Sequence, residues 1–223
     1  MSTAAAPTTR RAWPRYVVPM ALFLALTAVE AQWPAYYAWL YIAKVLVVGA
    51  AVVWYRDAWH DMTLTAPAAA AGAVVGLAVF AEWILVPRLV PYPTMSMRVG
   101  FDPWTGIADP ALRAVFLAFR FAGLVVLVPV MEELFWRSFL LRYFTTPRWS
   151  ELPIGQFSWQ AFWIVAGGFG VVHPEWLPAL VCAMAYALLL RGTRSLGACV
   201  VAHAVTNLAL GIYIVVARAW AFW

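Results

Sequence analysis

Seven apolar stretches, each close to the length of a bilayer crossing, divide this chain from end to end. They cover residues 16–32, 36–55, 67–90, 111–130, 157–173, 176–190 and 195–217. A spanning helix needs about 20 predominantly apolar residues. An eighth stretch, 129–144, also has helical character and either continues the fourth or forms its own segment. The expected fold is an all-α, polytopic transmembrane helical bundle with seven or eight membrane segments. Composition agrees, at 65% hydrophobic and 11% charged residues, against about 45–50% and about 25% in soluble domains. One water-soluble core cannot hide that excess.

The net charge of +5 does not describe a nucleic-acid groove. Arg10, Arg11, Arg15, Arg56, Arg137, Arg142, Arg148, Arg191 and Arg194 lie at or near the ends of apolar segments. There they fix topology and touch anionic headgroups, so the expected partner is the lipid bilayer, with no nucleic acid. Residues 1–15 read as a disordered N-terminal tail, and 16–223 as a single transmembrane domain with its candidate motifs in 129–210. Val29-Glu30-Ala31 loosely resembles a signal-peptide cleavage site. Because Trp33 and Pro34 lead straight into another apolar run, 16–32 is read as an uncleaved first helix. Most arginines fall in the tail, the 56–61 turn, the 137–148 region and the 191–194 turn, which places those parts and the N-terminus in the cytoplasm. Arg88, Arg98 and Arg113 run against this pattern. Simple alternation sets Glu132 towards the inner side and His173 towards the outer side, so a shared site would need tilted, broken or re-entrant segments.

Three polar islands interrupt the apolar runs. The first is Met131-Glu132-Glu133-Leu134-Phe135-Trp136-Arg137. Adjacent carboxylates on a helix project about 100° apart and so do different jobs. Glu133 and Arg137 stand four apart, acid first, the order that favours a same-face ion pair; that leaves Glu132 free to act. A desolvated carboxylate is a competent general base for a bound water near neutral pH. Pro129 just upstream removes a helix hydrogen bond and can kink the chain. The bland alternative is a charged helix end at the membrane interface.

The second island is Phe169-x-x-x-His173, preceded by Gly167 and Gly168 and followed by Pro174 and Glu175. The glycines permit close helix approach, and Pro174 sets His173 at or near a helix end. Glu175 reads as a headgroup-level acid. In the third, His203-x-x-x-Asn207, the spacing places an imidazole and an amide on one helix face, well inside an apolar run. Such groups need partners in hydrocarbon; the alternative is an interhelical hydrogen-bond pair that holds the bundle together. Cys182 and Cys199 read as small buried hydrophobes.

A base, two imidazoles and an amide can together activate water and stabilise a tetrahedral oxyanion. No Ser or Cys stands beside a base in these runs, which disfavours a covalent acyl-enzyme. His173 and His203, with a glutamate, could instead hold a divalent metal such as zinc, although the His-Glu-x-x-His helix is missing. The motifs Glu132-Glu133-x-x-x-Arg137, Phe169-x-x-x-His173 and His203-x-x-x-Asn207 resemble, in order, those of the CAAX-processing and bacteriocin-processing (CPBP, Abi) intramembrane proteases. The resemblance spans about residues 120–215. It implies an eight-helix membrane enzyme that hydrolyses a peptide bond of a membrane protein or lipid-associated peptide. It implies Glu132 as base, with His173, His203 and Asn207 positioning water and stabilising the oxyanion, and Glu133 and Arg137 as the supporting pair. His173-Pro174-Glu175-Trp176 also resembles the exosortase-associated branch of that family, which implies a bacterial cytoplasmic membrane. A second reading stays open: a non-enzymatic transporter or accessory or immunity protein, motivated by Lys44, Glu82 and Arg120 in apolar segments, where snorkelling or helix pairing also accounts for them.

Overall fold

A computed structural model describes residues 12–94 and 100–223 of the chain. Most of the expected tail, residues 1–11, therefore lies outside the described residues, as does Arg98. Helix α1 spans Pro14–Gln32 and so begins inside that tail, because a proline in the first turn has no N–H to leave unsatisfied. A 3₁₀ turn at Pro34–Tyr36 leads into α2, Tyr37–Trp54. Then follow α3, Ala66–Leu89; α4, a continuous run over Pro110–Tyr143; α5, Trp159–Val171; α6, Trp176–Thr193; and α7, Leu196–Ala217. Side chains of Thr65, Asp109, Ser158 and Ser195 accept from the backbone N–H two or three residues on, capping α3, α4, α5 and α7. Among the described residues, six helical runs are long and apolar enough to cross a membrane, and α5 is apolar but shorter, at 13 residues. The protein is an all-α polytopic bundle.

The stretches 111–130 and 129–144 form one helix rather than two. At 34 residues and 1.5 Å per residue, α4 is about 50 Å long, well beyond the ~30 Å hydrocarbon layer. Glu132 and Glu133 therefore lie inside the helix rather than at a charged end, Glu132 being about 16 Å from the Tyr143 end. Two stretches of α4 are π-helical, Gly123–Leu127 and Glu133–Leu140. Pro129 stands two residues past the end of the first; the wider turn absorbs the hydrogen bond that its ring removes.

Helix α3 supplies the closest packing. A Cβ built at Gly72 would stand 2.4 Å from the Ala198 carbonyl oxygen, and one at Gly76 the same distance from that of Ala202. Equal spacing along both chains means that α3 and α7 run parallel, in the small-xxx-small contact that lets membrane helices touch backbone to backbone. One end of the bundle gathers Arg15 on Asp57 (2.9 Å) and Arg142 and Tyr16 on Asp61 (2.8 and 2.7 Å). At the other, Arg88 donates to the Tyr213 hydroxyl (2.8 Å), and Trp104 packs on Trp220.

Candidate active site

The π-helical turn of α4 and the middle of α7 meet in the core. The Glu133 carboxylate is fully buried, and its Oε1 accepts from Arg137 Nη1 at 3.1 Å and from His203 Nδ1 at 2.8 Å. That bond selects the His203 tautomer with Nδ1 protonated and turns Nε2 away from Glu133. Arg137, 1% exposed, lies between aromatic faces, 4.7 Å from the Phe169 centroid and 5.2 Å from that of Tyr186. An ion pair taken out of water needs such support, since the loss of hydration otherwise outweighs the mutual attraction.

Glu132 projects differently, as neighbouring helical residues must. It is 6% exposed and within electrostatic range of His203, Glu133 and Arg137. Among the described residues no donor reaches its Oε2. Glu133 is committed through Oε1 alone, since its Oε2, like that of Glu132, meets no donor among the described residues.

Phe169 joins the second island to the first. Its ring faces Arg137, touches Trp136 at 5.4 Å and stacks on His173 at 4.3 Å. His173 lies just past the end of α5, as Pro174 requires. Its Nδ1 donates to the Phe169 carbonyl at 2.7 Å, and the Trp83 ring packs edge-on against it at 6.1 Å. Asn207 sits one turn beyond His203 and donates Nδ2–H to the Leu124 carbonyl at 2.9 Å. Leu124 belongs to the first π-helical stretch, where the shifted register leaves a carbonyl for a side-chain donor. The amide keeps a second N–H.

Several supporting residues escape a reading of the islands alone. Tyr186 shares a hydrogen bond with Thr206 at 2.7 Å, and Thr206 donates to the Gly76 carbonyl at 2.8 Å, so α3, α6 and α7 are tied together one turn from His203. Gly72-x-x-x-Gly76 was the sequence signal for this contact. Lys44 pairs with Glu30, and Arg120 stacks on Tyr41 and Trp223 at 4.6 and 4.9 Å. This cluster between α1, α2 and α4 lies three helical turns, about 18 Å, from Glu132 along α4. Outside the spanning segments, burial, then Glu175 and Glu82, raise the Tyr92 phenol above its ordinary pKa. Among the described residues no three His, Cys, Asp or Glu side chains converge as a metal-binding set. The set of two histidines and a glutamate is therefore not assembled among them.

Fold and site together define a multi-pass, all-α membrane protein with a buried acid–guanidinium–imidazole centre. Residues 114–209 match the family described as type II CAAX prenyl endopeptidase, Rce1-like. That match contains all three islands and is consistent with the CPBP intramembrane proteases. No curated protein and no solved structure matches the chain. At the level of the family, the match supports a membrane-embedded protease.

Proposed function

We propose that the protein is an intramembrane endopeptidase that hydrolyses a peptide bond near the C-terminus or membrane segment of a protein substrate, using water activated by Glu132. The observation that carries this reading is the division of labour between the adjacent acids. Glu133 accepts from both Arg137 and His203 through Oε1 and keeps only Oε2 without a donor, whereas Glu132 pairs with neither of them and its buried Oε2 meets no donor among the described residues. Glu132 takes a proton from water, and the hydroxide oxygen bonds to the substrate carbonyl carbon as the carbonyl π pair moves onto oxygen. His203, oriented by Glu133, holds the water through Nε2. The free N–H of Asn207, with His173 on the far side, stabilises the oxyanion. Collapse breaks the C–N bond, and Glu132 returns the proton to the departing amine. The arginine-rich end of the bundle faces the cytoplasm, with the N-terminus on that side.

The test uses the full chain in liposomes with a fluorogenic transmembrane peptide. Glu132→Gln is expected to lower turnover by about 10²–10⁴-fold, the usual worth of a positioned base, and His203→Ala to abolish it, both without loss of folded protein. Wild-type turnover in both variants overturns the reading.

A further inference from the structure

A peptide drawn into a membrane site brings its own backbone N–H and C=O groups, each costly unless the site satisfies it. The groups assigned to the chemistry are in part bound to one another. Glu133, Arg137 and His203 bind one another, His173 Nδ1 is bound to Phe169, and one N–H of Asn207 is bound to Leu124. Glu132 Oε2, Glu133 Oε2 and Arg137 Nη2 are open among the described residues, but they stand at the reacting centre, and the amides flanking the scissile bond need partners to either side of it.

Beside His173, on the C-terminal half of α3 and the loop after it, three polar groups are buried without a hydrogen-bond partner among the described residues. They are both carboxylate oxygens of Glu82, the indole N–H of Trp83 and the hydroxyl of Tyr92. Trp83 is 8% exposed, and its ring is the one packed against His173. Glu82 acts electrostatically on Cys182, which in turn lies in the field of Arg137 and Glu133; on the other side it acts on Tyr92. Tyr92 packs edge-on against Trp176 at 6.0 Å, at the start of α6. The three groups thus extend outward from the catalytic cluster along one side, between α3 and α6. Left unsatisfied, each is costly, and no contact among the described residues offsets that cost.

We propose that Glu82 and Trp83 bind the main chain of the peptide substrate: the Glu82 carboxylate accepts from a backbone N–H, and the Trp83 indole donates to a backbone C=O. Tyr92 offers a third contact nearer the bundle's end. This inference rests on the endopeptidase reading, and it names the groups that hold the peptide beside His173.

The experiment pairs enzyme variants with altered substrates. The probe is a fluorogenic transmembrane peptide in liposomes, with single peptide N–H groups near the scissile bond replaced by ester oxygens. Glu82→Leu and Trp83→Phe are each expected to raise KM about tenfold, the worth of one such bond, with kcat changed less. At one position the ester costs the wild type a similar factor and costs Glu82→Leu nothing more, a coupling that a merely structural role would not produce. If Glu132→Gln abolishes cleavage while no ester position couples to Glu82 and Trp83→Phe keeps the wild-type KM, the inference falls and the endopeptidase reading stands. If Glu132→Gln cleaves as the wild type does, that reading falls first.

Discussion

Arg137 shows how far one side chain is committed inside this bundle. It meets Glu133 at 3.1 Å and fills the space between Phe169 and Tyr186. Removing one member of a buried pair leaves the other charge uncompensated, at a typical cost of about 3–5 kcal/mol. Arg137→Met is therefore expected to lower unfolding free energy by about that amount, measured by denaturation in detergent. The double variant Glu133→Leu/Arg137→Met should recover much of the loss, because no charge is then stranded. A single variant as stable as the wild type would show that the pair is not desolvated. Arg137→Lys is not conservative here: a compact ammonium cannot stack flat on both rings while reaching Glu133. The sequence contained part of this. Acid and guanidinium four residues apart foretold the local pair, but nothing local announces that His203, 70 residues on, shares the same oxygen. The role of Phe169 as a bridge and the solitude of Glu82 are likewise properties of neighbours, invisible until the helices are packed.

At the level of elements, the site depends on two departures from regular helix and on one close contact. The π-helical turns of α4 rotate Glu133 and Arg137 onto the face that meets α7 and present the Leu124 carbonyl to Asn207. Apolar periodicity cannot foretell them, because a π turn is a change in hydrogen-bond register rather than in residue type. The α3–α7 contact was legible in Gly72-x-x-x-Gly76, and it yields a paired prediction. A Cβ at position 76 would stand 2.4 Å from a backbone oxygen, whereas one at position 49 meets nothing within 4 Å. Gly76→Ala is expected to force α3 off α7, costing about 1–3 kcal/mol as overpacking does. It should also lower turnover by displacing His203 and the Thr206 bond. Gly49→Ala, in the same kind of apolar helix, should be neutral or stabilising by up to about 1 kcal/mol. Thermal unfolding of both variants side by side is the check; equal stabilities would mean that the helices are not in backbone contact.

For the whole molecule, the open question is whether α5 crosses the bilayer, because it carries Phe169 and sets His173 beyond its end. Its 13 residues give about 20 Å, less than the ~30 Å layer. Yet α5 runs antiparallel to α6 over most of that helix's length. Phe157, just before α5, receives the Arg191 guanidinium at 4.5 Å, while a Cβ at Gly170 near its other end would meet Leu180 and the Trp176 carbonyl. A helix matched in depth to a spanning neighbour spans with it, the shortfall being made up by local thinning and by flanking aromatic and arginine side chains. Cysteines introduced singly at the exposed positions Arg148 and Val172 are therefore expected to react with a membrane-impermeant maleimide from opposite faces of oriented vesicles, Arg148→Cys from the cytoplasmic one. The native Cys182 and Cys199 are buried and should remain silent. Labelling of both from one face would leave α5 on a single side of the membrane. His173 would then lose its place in a site within the membrane, and with it any part in the proposed hydrolysis.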